Sequence, residues 1–328
     1  MGYRRIVTIT SMPANWLFWV LFHLFVFAML ALDLGVFHRR ARVLGFREAV
    51  AWSLLWIALA AIFAALIHQF GHVMTGSRRP NPVLTLEFVT GYVLEEALSV
   101  DNLFVFLLLF RYFKLPEQYG HKVLFWGILG ALITRATFIL SGVALVNRFH
   151  WVMYVFGAFL LYAGARLFAQ KEAEQADPER NLVVKFFRRR VPLVPDYGDG
   201  RFFVLRDGRR YATLLALVLV AVETTDVMFA TDSIPAILAI SRDPFIVYTS
   251  NVFAILGLRS IFFALAGLMK MFHFLSYGLS LILVFIGAKM LLASVWEIPT
   301  AWALAVVAVV LAISVALSLA FPQEPKET

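Results

Sequence analysis

The sequence predicts an all-α integral membrane protein with about nine transmembrane helices, six of them forming an inverted repeat of two three-helix units. Hydrophobic residues make up 61% of the 328 residues, charged residues make up only 15%, and the mean hydropathy is +0.81. A soluble domain carries about 25% charged residues, so this composition excludes an ordinary cytosolic fold. The net charge of +8 does not indicate nucleic-acid binding, because the basic residues lie in short loops between apolar runs.

Apolar runs define the predicted membrane spans, because a spanning helix needs about 20 predominantly apolar residues. The runs lie near 14–37, 50–69, 84–112, 121–146, 149–169, 211–240, 245–268, 272–293 and 299–320. The first run has no small-residue cleavage site after it, so we interpret it as a retained helix rather than a signal peptide.

Lys and Arg are distributed unequally between alternate loops, which predicts the orientation of the chain. One side holds roughly three times as many basic residues as the other, and cytoplasmic loops carry such an excess. We therefore expect the protein in the inner (cytoplasmic) membrane, in contact with lipid, with its N-terminus outside and its C-terminus in the cytoplasm.

An internal repeat divides the chain. Gly164-Ala165-Arg166 recurs as Gly287-Ala288-Lys289 at an offset of 123 residues, and Arg135 recurs as Arg259 at an offset of 124. Because each unit contains an odd number of helices, the second copy must enter the membrane inverted. Inverted repeats are a recurring plan of transporters. The predicted regions are an N-terminal two-helix region (1–83), the first repeat (84–169), a cytoplasmic loop (170–210), the second repeat (211–293), and a last helix with its tail (294–328).

Six acidic residues lie in the middle of two predicted spans. A charged residue at the bilayer centre costs about 2.5–3.5 kcal/mol on insertion scales, so these acids must face one another, a cavity or a cation. The third span carries Glu95, Glu96 and Asp101, and the sixth carries Glu223, Asp226 and Asp232.

Helical spacing predicts which of these residues share a face. Residues seven apart lie within about 20° of each other on a helix, so Glu95 shares a face with Asn102, and Asp226 shares a face with Ser233.

The second aspartate of each segment lies six residues after the first acid, roughly 120° away on a regular helix. For Asp101 and Asp232 to reach the same site, we expect both helices to be unwound there. Pro235 favours this in the sixth span, because proline removes one backbone hydrogen bond.

The candidate ligands are carboxylate, amide and hydroxyl oxygens, which hard cations such as Mn²⁺, Mg²⁺ and Ca²⁺ prefer. The sequence therefore predicts a site for a transported divalent cation and gives no sign of a prosthetic group. Its predicted ligands are Glu95, Asp101, Asn102, Asp226, Asp232 and Ser233. The alternative is structural: Arg135 and Arg259 would neutralise the acids in buried ion pairs, although two arginines leave four of the six acids unbalanced.

The two acidic segments resemble the signature of the TerC family of membrane proteins. The motifs that carry the resemblance are Glu95-Glu-Ala-Leu-Ser-Val-Asp101-Asn102 and Asp226-Val-Met-Phe-Ala-Thr-Asp232-Ser233-Ile-Pro235-Ala. That family is linked to manganese efflux and, by name, to tellurite resistance, and it is grouped with exporters built from duplicated three-helix units. The resemblance implies Mn²⁺ export and a site at Glu95, Asp101, Asn102, Asp226 and Asp232, with Ser233 and Pro235 carried over less firmly.

Two other functions remain open at this point. The chain could be a membrane scaffold or accessory protein in a metal or tellurite stress response, or an intramembrane aspartyl hydrolase, since paired aspartates can do acid–base chemistry. The usual Gly-x-Gly-Asp sequence of such proteases is missing, and no GxxxxGK[ST] sequence indicates direct use of ATP. A secondary transporter, coupled to protons through the carboxylates, is the leading interpretation.

The 170–210 loop is the largest soluble segment. Its default interpretation is a solvated connector. Residues Glu172 to Arg190 form a basic stretch with the pattern of a helix on the inner leaflet. Arg201 to Tyr211 predicts a hairpin with Asp207-Gly208 as a type I′ turn.

Overall fold

The computed structural model describes residues 16–37, 46–149, 151–169, 182–206, 208–266, 274–293, 295–296 and 298–321. Asp101 and Arg259 belong to described helices, but their side chains lie outside the described part of the chain.

Within these ranges the chain is predominantly helical. Its elements are α1 (Trp16–Phe37), α2 (Phe46–Thr75), α3 (Asn81–Tyr112), α4 (Glu117–Arg148), α5 (Val152–Ala169), α6 (Leu182–Arg190), β1 (Phe203–Arg206), β2 (Arg209–Ala212), α7 (Leu214–Leu238), α8 (Pro244–Ala266), α9 (Leu275–Leu292) and α10 (Thr300–Ala320). Each predicted span overlaps one long helix. Among the described residues, five helices (α2, α4, α7, α9 and α10) are long and apolar enough to cross a membrane, so the nine-span topology stays a prediction.

The predicted unwinding at the acidic segments is wrong. Helix α3 runs without a break through Glu95 and Asp101, and α7 runs through Asp226 and Asp232 to Leu238. Pro235 lies in the last turn of α7 and removes one helical hydrogen bond, the one that a backbone N–H at this position would donate to the Thr231 carbonyl, without ending the helix there. Its own carbonyl still accepts from the Ala239 N–H at 3.1 Å, so the backbone stays helical to its end.

Helices from the two predicted repeat units pack against each other most extensively as α3 with α8, α4 with α7 and α5 with α9, and α3 also packs on α7. The helices α5 and α9 approach closely because glycines lie at their contact. A Cβ at Gly164 would lie 2.9 Å from the Ser280 carbonyl oxygen, and one at Gly287 would lie 2.7 Å from the Gly157 carbonyl oxygen. The two backbones therefore approach without intervening side chains, as small residues allow in membranes.

Replacing Gly287 by Ala will destabilise the protein. The new methyl group would meet the backbone of α5 at Gly157 and Leu161, so the helices must separate, at a cost of about 1–3 kcal/mol for overpacking. Gly120→Ala is the matched control, since its nearest neighbour would be Phe110 at 3.8 Å and alanine is favoured over glycine in a helix by about 1 kcal/mol. Thermal unfolding in one detergent should show a lower transition for Gly287→Ala only, and equal transitions would contradict the close packing.

The two N-terminal helices pack on α8 through aromatic side chains. Phe22 of α1 and Phe63 of α2 both contact Phe253 of α8, with ring centroids 5.9 and 4.9 Å apart. His23 adds a polar contact, since its Nε2 lies 3.1 Å from the Tyr248 hydroxyl. This packing places the N-terminal region beside the second repeat.

The described part of the 170–210 loop is folded rather than a solvated connector. Strands β1 and β2 pair antiparallel, with Arg206 opposite Arg209, which confirms the predicted hairpin. Gly208 has a φ of +74°, as a type I′ turn requires, while Asp207 lies outside the described residues. The loop contacts the end of α3 and the start of α4, because the Tyr197 hydroxyl donates to the Phe113 carbonyl and Lys122 Nζ donates to the Gly200 carbonyl at 2.6 Å.

The predicted basic amphipathic stretch is described only in part. Residues 170–181 lie outside the described residues, and 182–190 form α6. Its Val184 is buried, whereas Phe186 is exposed beside three consecutive arginines.

Candidate functional site

A buried arginine joins the two acidic segments. Arg135 of α4 forms ion pairs with Glu95 of α3 and with Asp226 of α7, the second at 3.2 Å. All three side chains are nearly inaccessible to solvent, at 1%, 0% and 6% exposure. The Ser99 hydroxyl also donates to Glu95 Oε1 at 3.4 Å. Glu95 and Asp226, the acids that correspond in the two predicted repeat units, therefore lie at one centre, each beside a different nitrogen of one guanidinium.

The described side chains leave this centre incompletely neutralised. Among them, two carboxylates face one guanidinium, which leaves one negative charge when both acids are ionised. The second oxygens, Glu95 Oε2 and Asp226 Oδ2, are buried and have no hydrogen-bond partner among the described residues. Leaving a buried polar group unsatisfied costs about 1–3 kcal/mol, and more for a charged group. Both oxygens could bind a hard cation.

The register between α3 and α7 places the remaining predicted ligands. Ser241, just after α7, donates to Glu87 Oε2 of α3 at 2.5 Å. A Cβ at Gly91, four residues further along α3, would lie 3.9 Å from Ile237, four residues back along the antiparallel α7. If the same register continues, we expect two layers of site residues, Glu95 with Ser233 and Asn102 with Asp226.

The neutral members of these layers are buried. Asn102 is 6% exposed and Ser233 is 2% exposed. The Ser233 hydroxyl has no hydrogen-bond partner in the described part of the chain, so its oxygen is available as a ligand.

The second aspartate of each segment is less closely associated with Arg135. Asp232 is half-buried and interacts electrostatically with Arg166 near the end of α5, and the side chain of Asp101 lies outside the described part. Among the described side chains, no three His, Asp or Glu residues are grouped closely enough to hold a metal ion. Convergence of all four predicted acids on one site therefore stays a prediction.

Two further acids border the centre. The Tyr92 hydroxyl donates to Glu96 Oε1 at 2.8 Å, and this oxygen faces Gly257 of α8. Glu223 lies one turn before Asp226, interacts unfavourably with it, and places its carboxylate against Gly130 of α4. Glu223 therefore adds a third carboxyl group beside the centre from the α7 side.

Replacing Gly130 by Ala will displace the carboxyl group of Glu223. The new Cβ would overlap the Glu223 carboxylate, which can rotate away at little cost to stability because it is the end of a flexible side chain. We expect weaker metal binding by the purified protein, and we expect Gly130→Ala combined with Glu223→Gln to be no worse than Glu223→Gln alone, since contacting residues are not additive. Gly120→Ala on the same helix is the control. Additive losses would show that Glu223 and Gly130 act separately.

Sequence reasoning missed Asn251. This residue of α8 is fully buried, and neither its amide nitrogen nor its amide oxygen has a hydrogen-bond partner among the described residues. The run Thr249-Ser250-Asn251 inside an apolar span was the available signal, because polar residues in membrane helices mark functional positions.

A second charged group was also missed, and we call it the outer ionic cluster after the side on which the predicted topology places it. It consists of Arg79, Glu87, Ser241 and Asp243. Arg79 pairs with Glu87, and its second guanidinium nitrogen lies 3.8 Å from Asp243. Asp243 begins α8 by accepting from the Phe245 and Ile246 N–H groups at 3.0 and 3.2 Å. Burial raises the pKa of Asp243 above its usual value, although these N–H groups and Arg79 oppose the change.

The fold and the centre define a class of protein before any comparison: a multi-pass integral membrane protein whose helices enclose a charged, oxygen-rich site. The comparisons place the chain within that class. Residues 81–326 match the integral membrane protein TerC family, and the chain belongs to this family. The resemblance deduced from the two acidic motifs is thereby confirmed.

Curated relatives cover nearly the whole chain. An uncharacterized membrane protein of Myxococcus xanthus is 49% identical over 302 residues, which are 92% of this chain and 91% of the relative. A protein of Escherichia coli K12 named putative membrane-bound redox modulator Alx is 44% identical over 292 residues, which are 89% of this chain and 90% of the relative. A protein of the same name from Salmonella typhi is 43% identical over 303 residues, covering 92% and 94% of the two chains. No solved structure matches the chain.

Proposed function

We propose that this protein is a secondary transporter that exports a divalent metal cation across the inner membrane in exchange for protons. The preferred cation is Mn²⁺. The observation that carries the proposal is the buried centre in which Arg135 joins Glu95 and Asp226, each with one carboxylate oxygen left without a protein partner. Among the described side chains, the two carboxylates outnumber the guanidinium by one. Such a surplus at full burial suits a site that alternates between a cation and protons.

The packing of α5 on α9, the third helix of each predicted unit, supports an inverted repeat. A transporter that opens to each side of the membrane in turn could use such a repeat. At the offset of 123 residues, Gly157 corresponds to Ser280 and Gly164 corresponds to Gly287. The contact of Gly164 with Ser280 therefore becomes the contact of Gly287 with Gly157 when the two units are exchanged, and both contacts are present. A pseudo-twofold axis between α5 and α9 has this property. In the same way, the pairing of α3 with α8 exchanges with that of α7 with α4.

The donor set supports a hard divalent cation. Carboxylate, amide and hydroxyl oxygens from Glu95, Asp226, Asn102 and Ser233 suit Mn²⁺, Mg²⁺ and Ca²⁺ better than softer metals. Asp101 and Asp232 would complete the set if their helices bring them to the same layer. The preference for Mn²⁺ comes from the family resemblance.

The relatives named redox modulators suggest another role, but the chain has no Cys, so a thiol–disulfide mechanism does not fit it. Metal transport could alter cellular redox balance indirectly, since Mn²⁺ is redox-active. A scaffold role in metal or tellurite stress would require no ion movement at all.

Metal uptake by proteoliposomes containing only the purified protein tests the proposal. We expect saturable Mn²⁺ uptake that requires a pH gradient. Added Mg²⁺ or Ca²⁺ should reduce this uptake to the extent that the site also binds those ions. Uptake should weaken at acidic pH, because protons compete for the carboxylates. Liposomes without protein are the control. Absence of flux for every cation, from protein that is folded and correctly inserted, would favour the scaffold reading.

A further inference from the structure

The outer ionic cluster lies on the route between the buried centre and one end of the bundle. The proposed orientation places that end outside. Glu87 precedes Glu95 by eight residues on α3, which is about 12 Å along a helix. Between them lies Gly91, where a Cβ would be 2.9 Å from the Ser250 hydroxyl oxygen of α8 and 3.9 Å from Ile237 of α7. Three helices are therefore packed closely just above the centre, and the outer ionic cluster closes the layer above them.

Arg79 separates Glu87 from solvent. The Glu87 side chain is only 6% exposed, whereas the Arg79 side chain paired with it is 39% exposed. Ser241 holds the other carboxylate oxygen of Glu87 at 2.5 Å, and Lys289 of α9 adds a favourable electrostatic interaction. These contacts join the first predicted repeat unit, through α3, to the loop between α7 and α8 of the second.

The repeat shows that the fold does not need charges at this position. At the offset of 131 residues that relates the acidic segments, Glu87 corresponds to Val218 and Ser241 corresponds to Phe110. Both are apolar and buried, at 0% and 9% exposure. Replacing a buried ion pair by apolar residues is often neutral or stabilising, so stability alone gives no reason for the charged version at the outer end.

We propose that the outer ionic cluster is the outer gate of the transport route, closed in this structure by the binding of Arg79 to Glu87. Opening breaks the bonds of Glu87 to Arg79 and Ser241 and lets the ends of α3 and α7 separate, which connects the buried centre with the outside. The role of a gate rests on the proposed transport function. The closed contact between Arg79 and Glu87, and its opening, can nevertheless be measured in the absence of transport.

The protein has no Cys, so a single introduced Cys reports solvent access unambiguously. Ser250→Cys is a near-isosteric reporter in the layer beneath the gate, at a position that is fully buried. A charged, membrane-impermeant methanethiosulfonate reagent is added from the outer side of oriented proteoliposomes. We expect slow labelling in Ser250→Cys alone and at least about tenfold faster labelling when Arg79→Gln is added, since the gate then lacks its closing cation.

Arg78→Gln is the matched control, because Arg78 is the exposed neighbour of Arg79 and has no ion pair among the described residues. It should leave the labelling rate unchanged. Ser241→Ala provides a milder opening variant if Arg79→Gln does not fold, and it too should speed labelling. Equal labelling rates in the Arg79, Ser241 and Arg78 variants would overturn the gate. Loss of the transport proposal would instead appear as absent metal flux in the unmodified protein, whatever the labelling shows.

Discussion

Replacing Arg135 by Met will destabilise the protein more than any other single change at the buried centre. The substitution leaves Glu95 and Asp226 facing each other without a cation, in a position where their side chains are 0% and 6% exposed. Removing one partner of a buried ion pair costs about 3–5 kcal/mol, because the remaining charge is uncompensated. Thermal unfolding of the purified protein in detergent should show this as a large fall in the transition temperature.

The triple variant Arg135→Met, Glu95→Gln, Asp226→Asn is the matched control. It removes all three charges together, and neutral replacement of a buried ionic group is often close to neutral in stability. Most of the lost stability should therefore return. If Arg135→Met unfolds at the temperature of the unchanged protein, Arg135 does not neutralise these carboxylates.

Replacing Asp226 by Asn will abolish metal transport while leaving the protein folded. The amide keeps the shape of the side chain, and Arg135 remains paired with Glu95, so the charges of the centre are balanced instead of surplus. Even outer partners of metal ligands typically change metal affinity by roughly 10- to 100-fold. We therefore expect Mn²⁺ uptake by proteoliposomes to fall by at least about tenfold.

Glu48→Gln provides the control for Asp226→Asn. Glu48 is an exposed acid in the first turn of α2, so its loss changes the net charge equally without touching the centre. Uptake should stay at the unmodified level. An Asp226→Asn protein that transports normally would show that this carboxylate serves structure only.

Much of the fold could be predicted from the sequence because membrane helices are long and apolar. The ends of the predicted spans agree with the helices within a few residues, as for the run 84–112 and helix α3 (Asn81–Tyr112). The error was to expect unwound backbone at Asp101 and Asp232, because both helices continue through these residues. Glu95 and Asp226 meet through Arg135 of a third helix instead.

Less of the site could be predicted, because spacing along one helix says little about contacts between helices. The seven-residue spacing placed Glu95 with Asn102 and Asp226 with Ser233, all of which are buried. It gave no register between α3 and α7, so the pairing of Glu87 with Arg79 and Ser241 could not be foreseen. The partners of Glu87 lie in loops 8 and 154 residues away in the chain, so no spacing within α3 indicated them.

Direct binding of Mn²⁺ tests the central claim, that Glu95 and Asp226 together hold the transported cation. Electron paramagnetic resonance measures free Mn²⁺ during titration of the purified protein, with the Glu95→Gln, Asp226→Asn double variant titrated in parallel. The account predicts saturable loss of the free Mn²⁺ signal with the unmodified protein and no such loss with the folded double variant. Equal Mn²⁺ binding by the two proteins would contradict it.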